Sequence, residues 1–315
     1  MPNPQLNVVY SIRSMRRRYE VWFLRCGLAD GSGAWWFRYL LMNLGRNSRS
    51  TESEKMPVQV WATWFPRGAK PQTFIQGFPT DHLDLSARQK LPFHLRIAEN
   101  AIDGDSCRGN LLVNGHSICW NLHNRSNFGI ALSNKGWIGF SKSPHSDAVF
   151  SGEIIFDGQR FSVDPLGFGV QGHNCGYRHR TLWRWMHAYF SSPDGSATTL
   201  EALVYDLPFG LLFRKAVLWH NGNATILKNL RERVIVRTPR RLRWSFTATR
   251  GDLSIEADIE AQAPGIHELP YVKTDCSGTF PVSNASLARA TLRLAKNFKA
   301  MLETPSGAVL EMGGN

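Results

Sequence analysis

The stretch QGHNCGYRHRTLWRWMHAYF, residues 171–190, decides how the rest of the chain is read. Strand periodicity puts Trp183, Trp185, His187 and Tyr189 on one face, with Leu182, Arg184, Met186, Ala188 and Phe190 on the other. One face therefore carries three aromatic rings and an imidazole in a row. Gln171, His173, Asn174 and His179 lie just upstream. Apolar walls with a few polar groups can form a ligand cavity in which an imidazole moves a proton. The same residues could also fill a packed barrel core, with His187 as a satisfied buried histidine, and local pattern leaves both readings open. His173, His179 and His187 follow no established metal-ligand spacing, and no carboxylate joins them, so no metal is expected.

Working outward, the chain reads as strands. Leu91, Phe93, Leu95 and Ile97 alternate with Pro92, His94, Arg96 and Ala98, and Leu253, Ile255, Ala257 and Ile259 with polar neighbours. Asn114-Gly115, Asp157-Gly158 and Asn221-Gly222 sit between β-type runs and meet the positive-φ demand of tight hairpins. Many short strands joined this way imply an all-β sandwich or barrel. Residues 283–302 fit a helical face (Leu287, Leu294, Phe298, Met301) as well as strand alternation. The polar segment 141–151, with Pro144, is the expected linker, which divides the chain into domains 1–150 and 151–315.

At 315 residues the chain is long enough for two domains with buried cores. Eleven tryptophans must fill cores or line pockets. No run of about 18 apolar residues suggests a transmembrane helix, and no apolar stretch follows Arg16, Arg17 and Arg18 as a signal peptide requires. Five cysteines without a CxxC pair fit free thiols in a reducing, cytoplasmic setting. The net charge of +12 comes from 18 basic and 11 acidic residues up to position 155, and 19 and 14 beyond it. That even spread favours a solvated basic surface. No nucleic-acid partner is expected, and contact with an anionic membrane surface is a secondary expectation. Gly167, Gly169 and Gly172 spell GxGxxG, but Asp164-Pro165 precedes them and a strand pattern follows, so no nucleotide or other cofactor is expected. The tripeptide Arg250-Gly251-Asp252 reads as turn chemistry.

The run GHNCG-x2-H-x3-W-x-W-x-H, from Gly172 to His187, resembles the GHNWG…H…W.W motif of a β-barrel superfamily. Its members include hydroxyneurosporene synthase (carotenoid 1,2-hydratase), the AttH-like proteins and, more distantly, tocopherol cyclase. Trp35-Trp36-Phe37-Arg38-Tyr39 is similar to the superfamily's early WxRY strand, and residues 115–122 (GHSICWNL) to its G-x-I-x-W-x-L strand. Residues 284–288 and 310–314 are similar to its closing NSxLA and LExGG segments. The resemblance implies two lipocalin-like antiparallel β-barrels in tandem, a cavity at or near their interface, and strand rather than helix at residues 288–294. Cys175 stands where the superfamily often has Trp, which implies a reshaped pocket. The implied ligand is a hydrophobic small molecule of isoprenoid or polyketide type. The implied activities are hydration, cyclisation or isomerisation, with non-catalytic binding or carriage as the alternative. For a catalyst, His173 and His187 are the expected proton-transfer residues. Gln171, Asn174, Trp183, Trp185 and Tyr189 are expected to bind substrate, and Glu311 joins them through the LExGG resemblance.

Overall fold

The computed structural model describes residues 4–8, 18–42, 56–84, 93–134, 139–191, 196–274, 277–295 and 300–314. The first sheet comprises β1 (Tyr19–Leu28), β2 (Gly33–Met42), β3 (Val58–Pro66), β4 (Gln72–Phe78), β5 (Leu83–Asp84), β6 (His94–Ile97), β7 (Asn100–Asp103), β8 (Ser106–Val113), β9 (His116–Arg125), β10 (Ile130–Asn134), β11 (Gly139–Phe156), β12 (Gln159–Phe161) and β13 (Gly167–Gly176). The second comprises β14 (Leu182–Ser191), β15 (Ala197–Asp206), β16 (Leu212–His220), β17 (Asn223–Thr238), β18 (Arg241–Arg250), β19 (Leu253–Gln262), β20 (His267–Val272), β21 (Thr279–Ala295) and β22 (Ala300–Gly314).

In the second sheet β19 pairs with β21 as well as β18. This closes eight antiparallel strands into a barrel, with β20 outside on β21. The first sheet runs β4-β3-β2-β1-β13-β11-β9-β8-β7-β6-β5 and curls without closing. Its β4 and β8 are tied by a side chain, with Leu112 N donating to Gln76 Oε1 at 3.2 Å. Together the two sheets make the tandem lipocalin-like architecture. Three asparagine- or aspartate-glycine turns carry positive φ at both residues: Asn114 53° and Gly115 82°, Asp157 49° and Gly158 84°, Asn221 49° and Gly222 72°. These match the twist of the hairpins they join.

Residues 283–295 are strand, within β21, so period two prevails there over the helical pattern. Phe298 lies outside the described residues, as do Arg16, Arg17, Leu91 and Cys276. The segment 141–151 is not a linker. It is the middle of β11, and Pro144 falls where the pairing with β13 shifts register, a place a strand tolerates a residue without an N–H. Position 150/151 therefore lies inside a strand, and the change of sheet falls between Gly176 and Leu182. The GxGxxG run is β13 itself.

Burial patterns show where the sheets meet. β8 and β9 alternate buried and exposed, with one face in water. β2 is buried at all ten positions, and β1 and β14 nearly so. One face of each of these strands fills its own barrel; the other packs against the opposite sheet. Trp22, Trp35, Phe37 and Trp120 belong to the first interior, and Met186, Phe190, Trp244 and Phe246 to the second. Val21, Phe23, Trp36, Trp61, Trp183, Trp185 and Tyr271 form a third core between the sheets. An indole that removes 150–250 Å² from water contributes ~4–6 kcal/mol, and tryptophan is concentrated in the first and third cores, with Trp244 in the second.

Candidate functional site

Between the sheets lies a cavity of about 110 Å³. β1 contributes Tyr19, Val21 and Phe23; β2 contributes Trp36 and Arg38; β14 contributes Trp183 and Trp185. Tyr205, Tyr271 and Glu311 complete the far wall, and exposed Arg178 marks where the cavity meets solvent. The walls interlock through rings: Phe23 meets Trp185 edge-on at 5.4 Å, and Tyr271 lies 6.1 Å from Trp183.

Glu311 is the carboxyl group on this wall. Trp183 Nε1 donates to its Oε1 at 3.0 Å, while Tyr271 OH and Asn284 Nδ2 donate to Oε2 at 2.6 and 3.2 Å. Gly313, two residues on, leaves the space that the Trp183 ring occupies; a Cβ there would lie 2.1 Å from the ring. Burial pushes the Tyr271 phenol well above its ordinary range, so it stays protonated and donates to Glu311. Arg38 packs in the corner of two nearly perpendicular rings, 4.0 Å above Tyr271 and 4.5 Å from Trp61. His179 stacks on Tyr19 at 4.2 Å. Burial, with the Arg38 charge adding to it, pulls the His179 imidazole down to about 3, so it is neutral at physiological pH. A second carboxyl, Glu201, sits behind the wall and joins the sheets. It accepts from Ser143 Oγ (2.7 Å), Ser146 Oγ (3.3 Å) and Trp185 Nε1 (2.9 Å), and burial raises its pKa.

Of the residues expected at a site, Asn174, Trp183, Trp185 and Glu311 meet on this cavity, together with Cys175. The other four lie elsewhere. His187 and Tyr189 share the face of Trp183 and Trp185 but sit further along it, where the sheets close. His187 Nε2 donates to the Ser146 carbonyl at 2.6 Å, and burial holds its pKa near 3. Tyr189 stacks on Phe168 at 5.0 Å. Gln171 and His173 are drawn instead to the N-terminal turn Pro4–Asn7. Gln171 Nε2 donates to Asn7 Oδ1 at 2.9 Å. His173 Nδ1 donates to the Leu6 carbonyl at 2.6 Å, its Nε2 meets Glu20 Oε1 at 2.7 Å, and its ring stacks on Trp22 at 4.5 Å. Because the Leu6 carbonyl can only accept, Nδ1 is the donor of that bond.

Arg38, Tyr19, Tyr205, Tyr271 and Glu201 are site residues that local pattern did not single out. For Arg38 a signal existed: a lone cation inside the apolar run AWWFRYLLM, residues 34–42. Tyr271 and Tyr205 had none. Among the described residues, no group of three His, Cys, Asp or Glu side chains could hold a metal ion, and no helix is long and apolar enough to cross a membrane.

No protein-family model matches the chain, and no curated protein matches it in sequence. Solved structures do share its fold. Kievitone hydratase from Nectria haematococca aligns over 98% of this chain and 94% of its own, with TM-score 0.56 and 9% identity. CghA with Sch210972 aligns over 94% and 88%, with TM-score 0.64 and 12% identity. An AttH protein from Nitrosomonas europaea aligns over 94% and 92%, with TM-score 0.52 and 12% identity. At these identities the likeness is one of fold, and it is the fold of the group whose motif residues 172–187 resemble.

Proposed function

We propose that the chain is a hydratase- or cyclase-type enzyme that acts on an apolar, alkene-bearing small molecule of isoprenoid or polyketide type in the cavity between its sheets. The observation that carries this reading is Glu311: a carboxyl group on an aromatic cavity wall, oriented by three donors. A carboxylic acid there can give its proton to an alkene carbon. The carbocation formed faces indole and phenol rings, which stabilise a desolvated cation by ~1–2 kcal/mol each. Water then adds its oxygen to the cationic carbon and returns a proton to Glu311, which completes hydration. If a hydroxyl of the substrate adds instead, the product is a ring of unchanged mass. Tyr271 holds the carboxyl in place through both half-reactions. The kievitone hydratase fold supports the hydration branch as an analogy of architecture.

The test is incubation of the protein with a panel of isoprenoid and polyketide alkenes, followed by mass spectrometry. Products that gain one water, or isomers of unchanged mass, are expected. Glu311→Gln should lower turnover by ~10²–10⁴-fold, the usual share of general acid–base catalysis, while ligand binding persists. Ligands that bind without conversion would instead identify a carrier, and undiminished turnover in Glu311→Gln would remove the carboxyl from the mechanism.

A further inference from the structure

The cavity holds an excess of positive charge and a set of polar atoms without partners. Its lining holds three guanidinium groups, Arg38, Arg178 and Arg180, and one carboxyl group, Glu311. Arg38 is only 4% exposed, yet its Nε and Nη1 meet no acceptor. The rings of Trp61 and Tyr271, nearly perpendicular to each other, hold the guanidinium on two sides but carry no anionic oxygen for it. Two further lining atoms, Asn174 Oδ1 and His179 Nε2, are also sealed and unpartnered. Arg25 shows what the fold does with a buried guanidinium that has no ligand to meet: each of its three nitrogens donates to a backbone carbonyl. Burying donors unpaired is costly, and more so for a charged group. Arg38 nonetheless lines the cavity, and a buried guanidinium on that wall whose Nε and Nη1 lack an acceptor is a receptor for an anionic oxygen.

We propose that Arg38 binds an acidic oxygen group of the ligand, a carboxylate or an ionised enol, so that the substrate class is an apolar skeleton with an acidic head. The head sits on Arg38, and the apolar body lies along Trp36, Trp183 and Trp185. This inference rests on the cavity being the substrate site but not on the reaction performed there.

The test compares 2-naphthoate with the isosteric neutral 2-naphthamide by calorimetric titration of the full chain. The acid should bind about tenfold or more tightly, the range expected of a hydrogen-bonded charge. In Arg38→Met, which keeps the length and apolar stem, that preference should fall below about twofold. Arg38→Lys should retain part of it, because a point charge remains while the planar fork is lost. Equal affinities in the unaltered protein would overturn the proposal, whatever the variants do, and so would a preference that survives in a folded Arg38→Met. Tight binding of the amide alone would leave the hydratase or cyclase reading standing and remove only the acidic head. Binding of neither probe would remove the cavity as a ligand site and both readings with it.

Discussion

Replacing Arg25 with Met should loosen the contact between the two sheets. The guanidinium is 1% exposed. It lies on the same face of β1 as Val21 and Phe23, two positions beyond the cavity. Nε and Nη2 donate to the Ser286 carbonyl at 3.1 and 2.6 Å, Nη2 to Ser306 at 2.8 Å, and Nη1 to Phe168 at 3.2 Å and Gly307 at 3.4 Å. Three of those four carbonyls belong to the second sheet or its β21–β22 segment. Removing the cation leaves them facing a thioether, and each buried acceptor left unpaired costs about 1–3 kcal/mol. Relief from burying a charge offsets several kcal/mol of the total. The net loss should be ~3–5 kcal/mol, a large part of the 5–15 kcal/mol typical of a folded protein. Urea unfolding followed by tryptophan fluorescence and far-ultraviolet circular dichroism reads this as a lower midpoint. Arg25→Lys should lose less, since an ammonium still reaches one or two of the carbonyls. A loss under about 1 kcal/mol in Arg25→Met would refute the idea that this side chain pins the sheets.

Related outcomes follow from the same geometry. Gly27→Ala should cost ~1–3 kcal/mol, because its Cβ would lie 2.6 Å from Arg25 Nη1; a neutral effect on the unfolding midpoint would show that the guanidinium has room to shift. Glu201 holds its proton more tightly folded than unfolded, so its contribution is greatest at low pH. That contribution falls as pH rises from about 4.5 through the raised folded value, and Glu201→Gln should flatten the decline of melting temperature with rising pH above about 4.5. Unchanged pH dependence would rule Glu201 out as its source. Trp120→Ala, in the first barrel's interior against Phe37 at 4.4 Å, should cost ~3–5 kcal/mol. Trp185→Ala, on the cavity wall, should cost less and instead weaken binding of 2-naphthamide; equal stability losses with normal binding would make Trp185 a core residue.

Strands and turns were legible locally because they depend on neighbours in the chain. Period-two alternation and the three Asn/Asp-Gly turns suffice for an all-β reading, and the motif at residues 172–187 pointed to the tandem architecture. Parity also placed Trp183, Trp185, His187 and Tyr189 on one face. What lies opposite that face is not local. β1 pairs with β13, about 150 positions away, and Arg25 reaches Ser286 across 261. Those distant partners divide the row, leaving Trp183 and Trp185 at the open end and closing His187 and Tyr189 against Ser146 and Phe168. The same parity should have warned that His173 and Asn174, as adjacent strand residues, point to opposite faces. Only Asn174 looks into the space between the sheets, while His173 turns inward to Glu20 and Trp22. The polar, proline-bearing segment 141–151 read as a linker because its composition is that of a loop. Tertiary pairing overrides that composition, since a strand flanked by β10 and then β9 on one side and by β13 on the other can bury polar side chains whose partners come from the other sheet, as Ser143 and Ser146 do with Glu201.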